Sequence, residues 1–344
     1  MAKRNNFEIG GKSIDAGTRQ LVELSMPELA AHTAMKMPVH VIHGKEEGPT
    51  LFLAAAIHGD EWNGIEIIRR FLKTKSLARM KGTLLAVPVV NAYGLIADSR
   101  YMPDRRDLNR CFPGVERGSM AARLAHLFMS EIVERCTHGI DLHTGSNHRT
   151  NLPQIRANLA DPVIANLAEK FGAPVMLNAD FRKGSMREAA AAAGIPVLLY
   201  EAGEALRFNE VPIRGGVAGI VAVMRELGML PALKRPAKKK STPFLARSSR
   251  WERTPESGML RCLAKLGAHV EQDSVLANVV DPCGGESYPV KARYAGIVIG
   301  RLELPKVFEG DAVYHIARFE ANPEDVAEHV DSFRSNHSEY DPYD

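Results

Sequence analysis

Three apolar runs in this 344-residue chain end in ionisable side chains. "LFLAAAIHGDE" ends in His58, Asp60 and Glu61, "HGIDLHTG" carries Asp141 and His143, and "IPVLLYEAG" closes on Glu201. Imidazole nitrogen and carboxylate oxygen are donors suited to zinc, and a catalytic zinc takes three protein ligands while keeping one position for water. His58-x-x-Glu61 crosses a tight turn at Gly59 that lets both side chains face one ion. His143 would bring the third ligand from more than eighty residues away. Each piece alone has an ordinary reading: a polar turn, a backbone hydrogen bond from Asp141, a surface position for Glu201. Chance is a poor account of all three together.

The stretch "NAYGLIADSRYMPDRRDLNRCFPG" (91–114) adds positive charge through Arg100, Arg105, Arg106 and Arg110. Such arginines commonly pair with neighbours, here Asp104 and Asp107. They are also what a site needs to clamp a substrate carboxylate or to stabilise a developing oxyanion. Asn109 stands ready to share a carboxylate with Arg110.

The elements that must position these groups follow from periodicity. "PVHVIHG" alternates like a strand, and "TLFLAAAIHG" reads as a strand buried on both faces, followed by a helical pattern through Ile65, Ile68 and Leu72. "GTLLAVPVVN" (82–91) is a second strand, interrupted by its proline. A helix is expected over 119–136 with Ser119 as its cap, and others over 161–172, closed by Gly172, over 185–194 and over 218–228. Apolar strands alternating with helices predict an α/β unit with a mostly parallel or mixed central sheet flanked by helices. In such sheets ligands sit beyond the carboxyl ends of strands, where separate strand ends converge.

Beyond the basic run "KRPAKKK" (234–240), read as a solvated linker, the texture changes. Short strand-like pieces separated by Gly, Asp and Pro run from Trp251 to Phe319 without a long helix, which predicts a small all-β domain. The expected division is an α/β unit over 1–235, a linker over 236–248, an all-β domain over 249–322 and a polar tail over 323–344, whose end "NHSEYDPYD" reads as frayed.

The bulk composition narrows the function classes. With 44 basic and 41 acidic residues the net charge is +3, which offers no global attraction to nucleic acid or to a membrane surface. Cys111, Cys136, Cys262 and Cys283 lie far apart without a C-x-x-C pair, against a disulfide framework or a cysteine zinc finger. No apolar run reaches membrane-spanning length and the start lacks a signal-type apolar core, so a cytoplasmic setting is expected. The expected partner is a small molecule. An edge strand of either domain would also permit a homo-oligomer.

"HGDE" (58–61), "DLNRCFPG" (107–114), "DLHTG" (141–145) and "EAG" (201–203) together resemble the succinylglutamate desuccinylase/aspartoacylase family, relatives of the zinc carboxypeptidases. The motifs appear in the family's order over roughly residues 40–230. The resemblance implies a Zn2+ site at His58, Glu61 and His143, with Glu201 as the catalytic glutamate. It implies Asn109 and Arg110 as the grip on a substrate carboxylate, and an upstream arginine that polarises the scissile carbonyl. Arg100 is the choice for that role, with Arg105 and Arg106 as rivals. Residues 257–317 look like a biotinyl/lipoyl-type β-sandwich. They lack the Met-Lys-Met triad of a carrier, which favours a packing or substrate-restricting module.

The expected function is thus zinc-dependent hydrolysis of the amide bond of an N-acyl amino acid or related carboxylate-bearing amide. A metal-activated water would attack, with Glu201 as general base and Asp141 orienting a ligating histidine. Two alternatives stand beside it: a carboxypeptidase-like or ester hydrolase using the same atoms, and a non-catalytic metal-binding or interaction module.

Overall fold

The computed structural model describes residues 4–232 and 243–338. Its centre is a mixed sheet whose middle strands are buried on both faces. In Thr50–Ala55, Phe52 and Ala54 enter one core while Leu51, Leu53 and Ala55 enter another, all fully buried. A strand with apolar residues on both faces must be covered on both, and helices do this. Met120–Glu131 and Met186–Ala192 pack on the Phe52 face, while Asn63–Phe71, Pro162–Phe171 and Glu210–Glu226 pack on the other.

Three parallel neighbours, Thr83–Val87, Thr50–Ala55 and His138–Gly145, lie side by side, and Val197–Glu204 continues the set parallel to His138–Gly145. Antiparallel Lys36–His43 and then Thr18–Ser25 extend one edge. The strand Thr83–Val87 stops immediately before Pro88, where a ladder donor is missing. Ser119 and Ser185 accept the expected N-terminal helix bonds from Ala122 and Glu188, and Gly172 closes its helix with φ +79°.

The helix expected over 218–228 begins eight residues earlier, at Glu210. Pro212 and the glycines after it read as breakers. A proline in the first turn lacks only an N–H that the helix does not use there.

Arg149–Ala157 pairs antiparallel with Val197–Glu204 and parallel with Val175–Asn178. The sheet does not end there. Phe244–Arg253 continues it parallel to Val175–Asn178, followed by Ala312–Phe319 and Gly296–Leu302, and the last of these pairs back onto Arg149–Ala157. These five strands therefore close on themselves. A second sheet of four strands, including Gly258–Cys262, Val275–Val280 and Ser287–Lys291, packs over them around Leu260, Leu276, Val298 and Tyr314.

Residues 236–242 of the linker expected over 236–248 lie outside the described residues, and from Phe244 the chain is already strand. Most of the polar tail expected over 323–344 forms a helix. Pro323–Ser338 is helical, because Val326, Val330 and Phe333 recur at helical spacing and are buried. Among the described residues no helix is long and apolar enough to cross a membrane.

Candidate active site

The Thr50–Ala55 strand leaves the sheet through Ala56 at φ +51° and delivers His58 at its carboxyl end. Gly59 lies flat against the next backbone segment, where a Cβ would stand 1.9 Å from the Gly94 carbonyl carbon, so only glycine fits between the two candidate ligands. The turn is held by the Glu61 N–H donating to the His58 carbonyl at 3.2 Å and by the Trp62 indole donating to the Gly59 carbonyl at 3.0 Å. Helix Asn63–Phe71 then starts. On the neighbouring strand Asp141 and His143 are two residues apart and share one face.

His58, Glu61 and His143 are all buried, and their donor atoms lie within 4.8 Å of one another. Glu61 Oε1 is 2.8 Å from His58 Nδ1, and its Oε2 is 2.7 Å from His143 Nδ1. Each imidazole has a further carboxylate behind it. Asp107 Oδ1 is 3.2 Å from His58 Nε2, and Asp141 Oδ2 is 2.8 Å from His143 Nε2. That arrangement fixes which nitrogen each ring turns inward.

Burial opposes charge on both rings, yet Glu61 and Asp107 hold the His58 pKa above its usual value. Asp141 and Glu61 likewise hold His143 well above it. Burial opposes ionisation of Glu61 too, and the two imidazoles overcome it, leaving its pKa well below the carboxylate range. Three carboxylates around two imidazoles thus demand positive charge between them. Protons on the rings can meet that demand, and so can a divalent cation bound through two Nδ1 atoms and Glu61. The donor set fits a metal ion.

Arg100 stands beside this set. Its Nη1 is 3.3 Å from His58 Nδ1 and 3.6 Å from Glu61 Oε1, and it donates to Ser146 Oγ at 2.6 Å. Ser146 also donates to Glu61. Arg105 is exposed at φ +63°, and Arg106 is exposed and paired with Asp104 at 3.2 Å, so neither reaches the cavity. Asn109 and Arg110 line the cavity from the 3-10 turn Leu108–Arg110, which Asp107 caps through the Asn109 N–H at 2.9 Å. Asn109 Oδ1 also accepts from the Met186 N–H at 2.8 Å, tying the turn to helix Met186–Ala192.

Glu201 lies opposite His143 in the parallel pairing and faces the same cavity of about 640 Å³. Its Oε2 accepts from Asn151 Nδ2 at 2.5 Å, and its Oε1 is 3.6 Å from Arg156 Nη1. Arg149, Arg156, Arg182 and Arg187 also line the cavity, with Trp251 and His315 from the later strands. Arg187 is buried, and its Nη1 has no hydrogen-bond partner. Trp251 and His315 stack with ring centroids 4.7 Å apart.

Sequence reasoning missed Asn151, Arg156, Arg187, Trp251 and His315 as lining residues, and read Asp107 only as a partner for nearby arginines. "RTNLPQIRA" hides its strand behind Pro153, and the wall residues meet only through pairing between distant strands.

The model of the succinylglutamate desuccinylase/aspartoacylase catalytic domain matches residues 47–227, just over half of the chain. The chain belongs to the succinylglutamate desuccinylase/aspartoacylase family. Its family relatives include the N-alpha-acetyl-L-2,4-diaminobutyric acid deacetylase of Halomonas elongata, 26% identical over 307 residues, 84% of this chain and 87% of that one. A succinylglutamate desuccinylase/aspartoacylase of Rhodobacter sphaeroides superposes with TM-score 0.79 at 25% identity, covering 88% of this chain and 96% of the other. The product-bound ectoine utilization protein EutE (DoeB) of Ruegeria pomeroyi shares the fold, with TM-score 0.78 at 24% identity over 88% and 95% of the two chains. Family membership and the buried His–Glu–His cluster together make this chain a metal-activated amidohydrolase acting on a small carboxylate-bearing molecule.

Proposed function

We propose that this family member is a zinc-dependent hydrolase of the amide bond of an N-acyl amino acid, and that its substrate carries more than one carboxylate. The observation that carries the reading is a single cavity in which the metal set and Glu201 face six arginines: Arg100, Arg110, Arg149, Arg156, Arg182 and Arg187. The acidic lining residues are Glu61, Asp180 and Glu201. The substrate named for the Halomonas elongata relative bears a side-chain amine, which this wall would repel.

Zinc held by His58, Glu61 and His143 supplies Lewis acidity, acidifying water and polarising a carbonyl. Glu201 takes the proton of the attacking water and passes it to the departing amine. Arg100 donates to the carbonyl oxygen as negative charge develops there. Asn109 and Arg110 hold one substrate carboxylate. Asp141, and Asp107 with it, keeps a ligating imidazole turned toward the ion.

We also place the boundary of the first unit near 235 and the start of the second at the strand Phe244–Arg253 rather than at 249, with the later strands forming a sandwich of the biotinyl/lipoyl type that restricts the cavity. Its own apolar core and the positions of Trp251 and His315 support this. The four free cysteines accord with a reducing, cytoplasmic setting.

The test is release of free amine from a panel of N-acyl aspartates and glutamates, N-succinyl amino acids and N-acetyl-diaminobutyrate. Protein stripped of metal should be inactive and regain activity with zinc, and Glu201→Gln should keep zinc and lose turnover. Activity indifferent to chelation, or an intact Glu201→Gln enzyme, would sink the mechanism. Preference for the amine-bearing substrate would sink the substrate class.

A further inference from the structure

We infer that Asn151 is a positioning residue for the Glu201 carboxylate, and that Gly300 of the later β-strands keeps Asn151 in place. This rests on the reading of Glu201 as general base. Asn151 sits on Arg149–Ala157 between two neighbours, pairing with Gly203 on the strand of Glu201 and with Gly300 on Gly296–Leu302. Its side chain is buried, and its amide nitrogen donates to Glu201 Oε2 at 2.5 Å. The other carboxylate oxygen is 3.6 Å from Arg156, longer than a hydrogen bond. Asn151 therefore supplies the directional contact to this carboxylate.

A carboxylate only accepts, so the amide must turn its nitrogen to Glu201 and its oxygen away. The oxygen points to Gly300. A Cβ built there would stand 2.9 Å from Asn151 Oδ1 and 3.3 Å from His315 Cβ. The missing side chain at position 300 is what leaves room for the amide. One oxygen of Glu201 is anchored, and the other is left to carry the proton. The later strands thus act on the reacting centre through one hydrogen bond, besides lining the cavity.

The experiment compares zinc-loaded wild type with Asn151→Ala, Gly300→Ala and the double variant, reading kcat, KM, bound zinc and the thermal midpoint. Each single change should lower kcat by about 10²-fold, the scale of a misplaced catalytic group, with KM and bound zinc unchanged. The double variant should be no worse than Asn151→Ala, because Gly300 acts only through Asn151. Asn151→Ser, which restores a donor, should recover part of kcat. Should Asn151→Ala fold poorly, the near-isosteric Asn151→Asp serves, since it exchanges the donor for an acceptor and should lose kcat alone.

Wild-type kcat in Asn151→Ala or Asn151→Asp would overturn the positioning role. Additive losses in the double variant would overturn the part given to Gly300. Glu201→Gln separates the two levels. If it is inactive while Asn151→Ala keeps wild-type kcat, the general-base reading stands and this inference falls. If Glu201→Gln turns over normally, the general-base reading itself falls.

Discussion

Asp107 holds His58 and Arg100 at once: its Oδ1 is 3.2 Å from His58 Nε2, and its Oδ2 accepts from Arg100 Nη2 at 2.8 Å. The same carboxylate caps the turn that presents Asn109 and Arg110. Burial works against its charge, but His58 and Arg100 overcome this and keep its pKa well below the usual carboxylate value. One side chain thereby sets the His58 ring, the neighbouring guanidinium and the turn that carries Asn109 and Arg110. Asp107→Asn keeps the volume and removes the charge. Zinc affinity should fall about 10- to 100-fold, the usual effect of losing a carboxylate behind a ligating histidine. Competition titration against a chelator would read this, and unchanged affinity would refute it.

The arginine lining of the cavity carries a separable prediction. Arg187 is buried with Nη1 unpartnered, beside Arg156. Arg187→Met should raise KM for substrates with a second carboxylate by about 10- to 100-fold, matching one charged hydrogen bond of ~1.5–3 kcal/mol. Substrates with a single carboxylate, gripped by Arg110, should change little. Equal effects on both classes would remove Arg187 from substrate selection.

His315 makes stability depend on pH. Burial, reinforced by Arg156 and Arg182, pushes its imidazole down to about 3. In the unfolded chain it titrates near its ordinary value of about 6.5. Above that pH neither state is protonated. Below it only the unfolded state takes up the proton, so stability falls with acidification until about pH 3. The slope from this one group is at most ~1.4 kcal/mol per pH unit. Denaturation midpoints measured from pH 7 to pH 4 should fall less steeply in His315→Phe than in the parent. Parallel curves would count against a buried, neutral His315.

The last helix offers a stability test. Phe333 packs where Gly215 leaves space, 2.5 Å from a Cβ built there, on helix Glu210–Glu226. Phe333→Ala should cost about 3 kcal/mol, the low end for removing a buried phenylalanine. Chemical denaturation would measure it. An unchanged midpoint would mean the helix contributes nothing to the core.

The chain's sequence determined the donor chemistry and the kind of sheet. His58, Glu61, His143 and Glu201 each follow an apolar run, and an apolar run before a polar end is a local pattern that needs no distant partner to be read. Tertiary structure decided the rest. Arg100, Arg105 and Arg106 are equivalent by composition, and only backbone direction turns the first toward His58 and the others to solvent. Asn151 meets Glu201 and Gly300 because three strands, distant in sequence, pair in a particular register. Register is set by side-chain packing across a whole sheet, so no short stretch around Asn151 could have revealed its place.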